Sequence, residues 1–242
     1  MTQTNRSAQG ATFLLVPGFW LGAWAWDQVA APLRAAGHRV ETITLPGLES
    51  RDTPRAGITL ADHVSAVAER VASLGSDVIL VGHSGAGRII YSATDRRPDR
   101  IRRAVYVDSG PQPDGATHHP VPGQDQTELP LPSWDELEAG GSSLAGLDEA
   151  AKARFAERAV PQPAGPAREP IRLVNPAREQ VPVTLINSSF PSAEVTRLAA
   201  EGHPFFAELP RLTVSYVDLP TGHWPMWSRP GDLAAALAGT AR

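Results

Sequence analysis

The chain has 242 residues, with 22 basic against 26 acidic side chains, a net charge of −4 and a 42% hydrophobic share. That is enough apolar material for a sizeable core, and the slight acidic excess provides none of the basic footprint of a nucleic-acid binder. The absence of cysteine excludes disulfides, thiolate metal sites and a cysteine nucleophile, and no apolar run approaches the roughly 20 residues that span a bilayer. Met1 to Gly10 is polar and carries no charged-then-apolar signal pattern, which makes a cytoplasmic location the expectation.

From Thr12 the chain alternates two kinds of segment. Short runs rich in Val, Ile and Leu, bounded by turn residues, are predicted strands: Thr12–Val16, Arg39–Thr44, Asp77–Val81, Arg103–Asp108, Val181–Asn187 and Leu212–Val217. Between them lie amphipathic patterns predicting helices over Ala23–Ala36, Leu60–Leu74, Gly85–Arg96 and Ser192–Glu201, and Gly231–Ala238 closes the chain. This rhythm predicts an α/β fold with a mainly parallel sheet flanked by helices. Gly110 to Gln180 breaks it, with many prolines, no convincing strand and two predicted short helices, Ser133–Ala139 and Leu147–Ala159. An excursion of about 70 residues is too long for an ordinary connection, so a helical lid over about 111–180 of a single domain is expected.

The third run ends in Val81-Gly82-His83-Ser84-Gly85-Ala86-Gly87. A strand, a tight turn and a helix start push the middle serine into solvent at the carboxyl edge of the sheet, and small residues at Gly82 and Ala86 leave room for the strained backbone. Ser84 is therefore the candidate nucleophile. A phosphate-binding loop is the rival, but Gly82, Gly85 and Gly87 have the wrong spacing and follow the third strand rather than the first. His223, on the Gly-bearing loop after the last strand, is placed to meet Ser84 as its base, because loops at the carboxyl ends of parallel strands converge. His38, His63, His118, His119 and His203 lack that placement, His83 is expected to point away from the nucleophile, and no spacing suggests a metal site. The orienting carboxylate is expected at Asp108, 24 residues after Ser84 at a strand's carboxyl end, with Asp218 and Glu194 as alternatives. The N–H groups of Gly85 and of Phe19, in the loop after the first strand, are the expected oxyanion donors.

The pattern resembles the α/β-hydrolase superfamily over nearly the whole chain, and its first third is similar to the hydroxynitrile lyase and plant methylesterase group. The residues that carry this are Gly18, Gly22-Ala23-Trp24-Ala25-Trp26, Leu33 with Ala36-Gly37-His38 and Val40, Pro46-Gly47, Val81-Gly82-His83-Ser84 and Gly222-His223. Only about eleven residues precede the first predicted strand, so the two leading strands of many members are expected to be absent, leaving about six. Pro17 stands where the group commonly has His, and Ala86 replaces the second glycine of the serine turn. The acid is missing from the group's usual place after the fifth strand, and Asp108 fits branches that carry it one strand earlier, among them haloalkane dehalogenases and a lactone-cleaving branch. Dehalogenases use an aspartate nucleophile, which Ser84 disfavours. The similar lyases have a lysine after the histidine, and Trp224 there makes cyanide chemistry unfavourable.

These residues predict two-step acyl transfer on a carboxylic ester or lactone of a small aromatic or polycyclic metabolite, with no cofactor or metal, no membrane or nucleic-acid partner, and a monomer or homodimer. Six tryptophans are many for this length; Trp20 and Trp224, with Phe190, are the expected pocket walls. The alternatives are a non-hydrolytic biosynthetic enzyme (cyclase, lyase or cofactor-free oxygenase) and a non-catalytic receptor on the same fold.

Overall fold

The structure, a computed structural model, describes residues 10–118 and 120–242. Most of the N-terminal stretch read for a signal, and His119, lie outside the described residues. In chain order the strands are β1 (Thr12–Val16), β2 (Arg39–Thr42), β3 (Val78–His83), β4 (Ile101–Val107), β5 (Glu128–Leu129), β6 (Gln162–Pro163), β7 (Val183–Asn187) and β8 (Val214–Asp218). The helices are α1 (Asp27–Ala35), α2 (Leu60–Leu74), α3 (Ala86–Arg96), α4 (Trp134–Ala139), α5 (Glu149–Arg158), α6 (Ala164–Arg168), α7 (Ser192–Ala200), α8 (Pro225–Ser228) and α9 (Pro230–Gly239).

Six strands form one sheet in the order β2-β1-β3-β4-β7-β8, with every neighbouring pair parallel. Side chains alternate across it. Leu14, Val16, Val78 and Leu80 join a cluster with Val64, Val67 and Val71 of α2 and with Ile89 of α3. Phe13, Leu15, Ile79 and Val81 join the opposite cluster, with Val29 and Leu33 of α1 and Leu233 and Leu237 of α9. Burial on both faces is why these strands read as unbroken apolar runs rather than alternating ones. The chain leaves β1 for β2 on one side and returns through α2 to β3 on the other. The loops at the carboxyl ends of β1 and β3 therefore flank a topological switch point, where open parallel sheets present a crevice.

β3 runs two residues beyond its predicted end at Val81, because Gly82 and His83 keep pairing with Tyr106 and Val107 of β4. The predicted helix Ala23–Ala36 divides into a 3-10 turn, Ala23–Trp26, followed by α1. α2 matches its predicted span and opens on a reciprocal cap, in which the Thr59 side chain accepts from the Asp62 N–H while the Asp62 carboxylate accepts from the Thr59 N–H.

Between β4 and β7 the chain forms α4, α5 and α6, a 3-10 turn at Pro176–Gln180 and one small ribbon, β5 paired antiparallel with β6. The expectation of no strand here is corrected by that ribbon; two residues per strand are too few to carry a periodic signal. No helix among the described residues is long and apolar enough to cross a membrane.

Candidate active site

Ser84 stands between β3 and α3 with φ of +52°, a backbone state that side chains rarely adopt. Its N–H donates to the Val107 carbonyl at 3.1 Å, and its own carbonyl accepts from Gly87 N–H at 2.9 Å and from Ser109 Oγ at 2.6 Å. The small residues around it are required by contact. A Cβ on Gly82 would lie 2.9 Å from Ile90, and one on Gly87 would lie 2.2 Å from Ser109 Oγ.

Three loops converge on this serine. His223 Nε2 lies 2.7 Å from Ser84 Oγ, and His223 Nδ1 lies 2.5 Å from Asp108 Oδ2. An ionised carboxylate only accepts, so Nδ1 carries the proton and Nε2 is left to accept the serine hydroxyl. Asp108 follows β4 with φ of +45°. Its Oδ1 accepts from the N–H groups of Ser188 and Ser189 at 3.1 and 2.8 Å, and Oδ2 also accepts Ser189 Oγ at 2.5 Å. Burial alone would raise its pKa, but the bonds from His223 and Ser189 and the electrostatic attraction of His223 outweigh it and hold the group well below the usual carboxylate range. Neither alternative acid reaches His223. Glu194 is tied to Arg197 at 2.6 Å, and Asp218 accepts from Ser192 N–H and Oγ at 2.7 and 2.8 Å.

The histidine loop is itself fastened. Gly222 and His223 N–H groups donate to Ala145 and Ser143 carbonyls at 2.9 and 2.7 Å. A Cβ on Gly222 would lie 2.5 Å from the Ala145 oxygen, so only glycine allows that approach. His83 does not face the serine; its Nε2 lies 2.6 Å from the His223 carbonyl, and the ring is 1% exposed. Burial, then the neighbouring His223, push its pKa down to about 3, so the ring is neutral with its proton on Nε2. His83, Ser109, Ser188 and Ser189 all shape the site, yet sequence reasoning assigned them no part in it. His83 was legible only as a neighbour of Ser84, and the serines carried no signal.

The β1 loop lies against the serine turn. A Cβ on Gly18 would sit 3.0 Å from Ser84 Cβ, and one on Gly85 would sit 2.6 Å from the Phe19 ring. Among the described residues, neither the Phe19 nor the Gly85 N–H donates to another backbone carbonyl. Beside them is a cavity of about 260 Å³. Ser84, Gly85, Asp108 and His223 line it, together with Phe190, Phe205 and Phe206 and with Gln112, His118 and Gly140–Ser142 from between β4 and β7.

Of the three residues expected as pocket walls, Phe190 lines this cavity and Trp20 and Trp224 do not; none of the six tryptophans does. Trp20 Nε1 donates to the Leu129 carbonyl at 3.0 Å, and its own carbonyl accepts from Val160 N–H. Trp224 is 2% exposed, packed between Phe155 and the His223 ring. Large indoles bury most area where a long segment covers the body, and here they serve that packing. Among the described residues no group of three or more His, Asp or Glu is arranged to hold a metal ion.

The model of the Alpha/beta hydrolase family matches residues 13–236. The chain belongs to the alpha/beta hydrolase family. This hydrolase-family chain is similar to a carbendazim hydrolyzing esterase of Nocardioides sp. (strain SG-4G), 43% identical over 101 residues that make up 41% of this chain and 42% of that protein. It is 34% identical to Methylesterase 2 of Arabidopsis thaliana over 143 residues, 56% of this chain and 54% of that protein. These alignments span about half of the relatives' length or less. Among solved structures, an extracellular alpha/beta-hydrolase from a Paenibacillus species superposes with a TM-score of 0.74 over 96% of this chain and 99% of that one, at 22% identity. That likeness establishes the alpha/beta hydrolase fold.

Proposed function

We propose that this protein is a serine esterase that cleaves an uncharged carboxylic ester or lactone through an acyl-enzyme. The observation that carries the reading is the continuous relay from Ser84 Oγ through His223 to Asp108, with links of 2.7 and 2.5 Å. The esterase names of the similar proteins support it.

In the proposed cycle Ser84 Oγ attacks the carbonyl carbon as its proton passes to His223 Nε2. Asp108 stays ionised, keeps Nδ1 protonated and stabilises the imidazolium. The Phe19 and Gly85 N–H groups hold the oxyanion, a contribution worth about 3–4 kcal/mol per donor in comparable sites. Collapse breaks the bond to the alkoxide oxygen, which takes the proton from His223 Nε2. Water then attacks the acyl carbon, His223 takes its proton, and Ser84 is restored. The segment from Pro111 to Gln180 is the lid, and it supplies part of the cavity wall.

The test is labelling with a fluorophosphonate, read by intact mass. Wild type gains one adduct, Ser84→Ala gains none, and His223→Ala labels far more slowly. Equal labelling of Ser84→Ala, or none of folded wild type, overturns the assignment.

A further inference from the structure

The cavity at Ser84 is small, and at about 260 Å³ it falls below the roughly 300–1,000 Å³ of most small-molecule sites. Phe190, Phe205 and Phe206 also line a neighbouring basin of about 480 Å³, together with Glu194 and Leu198 of α7 and His203. Phe190 and Phe205 are 43% and 38% exposed, and both face this one basin. Phe205 is held there by structure. Its N–H donates to His203 Nδ1 at 3.2 Å, and its ring packs edge-on against buried Phe206 at 5.1 Å. Among the described residues neither lining set contains a lysine or arginine, and Glu194, the carboxylate at the basin, is taken up by Arg197. Aromatic walls without a lysine or arginine favour a flat, uncharged aromatic group over an anionic one.

We propose that this basin is a second binding subsite, which takes an uncharged two-ring aromatic portion of the substrate while the ester carbonyl and a small group occupy the inner cavity. The subsite rests on the esterase reading above and on the three rings, Phe190, Phe205 and Phe206, that line both spaces. It assigns substrate selection to α7 and the turn at Pro204–Phe206, away from the relay.

The test uses N-phenyl-1-naphthylamine, a neutral fluorophore, titrated into wild type, Leu198→Asp and Phe205→Ser. Leu198 is half-buried and Phe205 exposed, so a thermal melt suffices to check folding. Wild type is expected to bind saturably, with at least tenfold weaker binding in both variants. In the same variants the ratio of kcat/KM for 1-naphthyl acetate to that for methyl acetate is expected to fall at least tenfold. Unchanged affinity in both folded variants, or no saturable binding by wild type, overturns the subsite. Fluorophosphonate labelling separates the two ideas. Normal Ser84 labelling with unmoved probe affinity sinks the subsite alone, and variant-sensitive probe binding without Ser84 labelling sinks the esterase reading alone.

Discussion

Asp108 reaches His223 from the end of β4, where its two oxygens also take the Ser188 and Ser189 N–H groups and the Ser189 hydroxyl. Those donors keep it charged, and the carboxylate holds the His223 proton on Nδ1. Asp108→Asn is expected to lower kcat by about 10²–10⁴-fold, because the amide favours the wrong tautomer. Thermal melting and fluorophosphonate labelling together distinguish that loss from unfolding, and wild-type turnover by Asp108→Asn would send the search to another acid. The convergence of Ser84, His223 and Asp108 was legible because each lies just beyond a Val- and Leu-rich run, where parallel strands deliver their loops to one edge. Trp20 and Trp224 misled because bulk and aromaticity favour core and cavity wall alike, and only the path of the covering segment decides between them. The contacts of His83 and Ser109 join loops far apart in sequence, so no local pattern reports them.

Strand and helix positions read from apolar periodicity agree with the structure to within about two residues for most elements; the central strands are buried on both faces and so read as unbroken apolar runs. The ends are less legible, being settled by pairing with a neighbour, as at Gly82 and His83. α2 also carries a pH liability. His63 is buried on it and donates from Nε2 to the Pro46 carbonyl at 2.9 Å. Burial disfavours the imidazolium and lowers its pKa to about 4. The unfolded chain takes up that proton first, near pH 6.5, so stability falls as pH drops from there towards about 4, where the folded form protonates too. His63→Gln keeps a donor and removes the titration. The stability gap between wild type and His63→Gln, measured by urea unfolding, is expected to shift by about 2 kcal/mol in favour of the variant between pH 7 and pH 4.5. A gap that does not move would mean that His63 protonates in the folded protein near its free value.

At the scale of the molecule, the segment between β4 and β7 is fastened to the body by arginines that bind main-chain carbonyls. Arg51 binds Ala156, Glu157 and Ala159, which lie at the end of α5 and just beyond it, and Arg55 binds Pro161. Arg88, 2% exposed on α3, binds the carbonyls of Ala116, Pro166, Ala167 and Glu169 at 2.6–3.1 Å. Burial lowers its pKa to about 10, which leaves it charged at neutral pH. None of this was legible, since a carbonyl acceptor has no sequence identity. Arg88→Met strands these oxygens and is expected to cost about 3 kcal/mol or more, with faster hydrogen exchange confined to residues near 116 and 164–171. Exchange that quickens across the whole sheet instead would place Arg88 in the core rather than in a fastening. The position of Asp108 has one more consequence. With the carboxylate just after β4, the chain from Phe190 to Phe206 handles no proton in the proposed cycle. A laboratory evolution library confined to those positions should therefore retune substrate choice while turnover survives in most of its members, a division of labour that makes this scaffold a practical starting point for new ester cleavers.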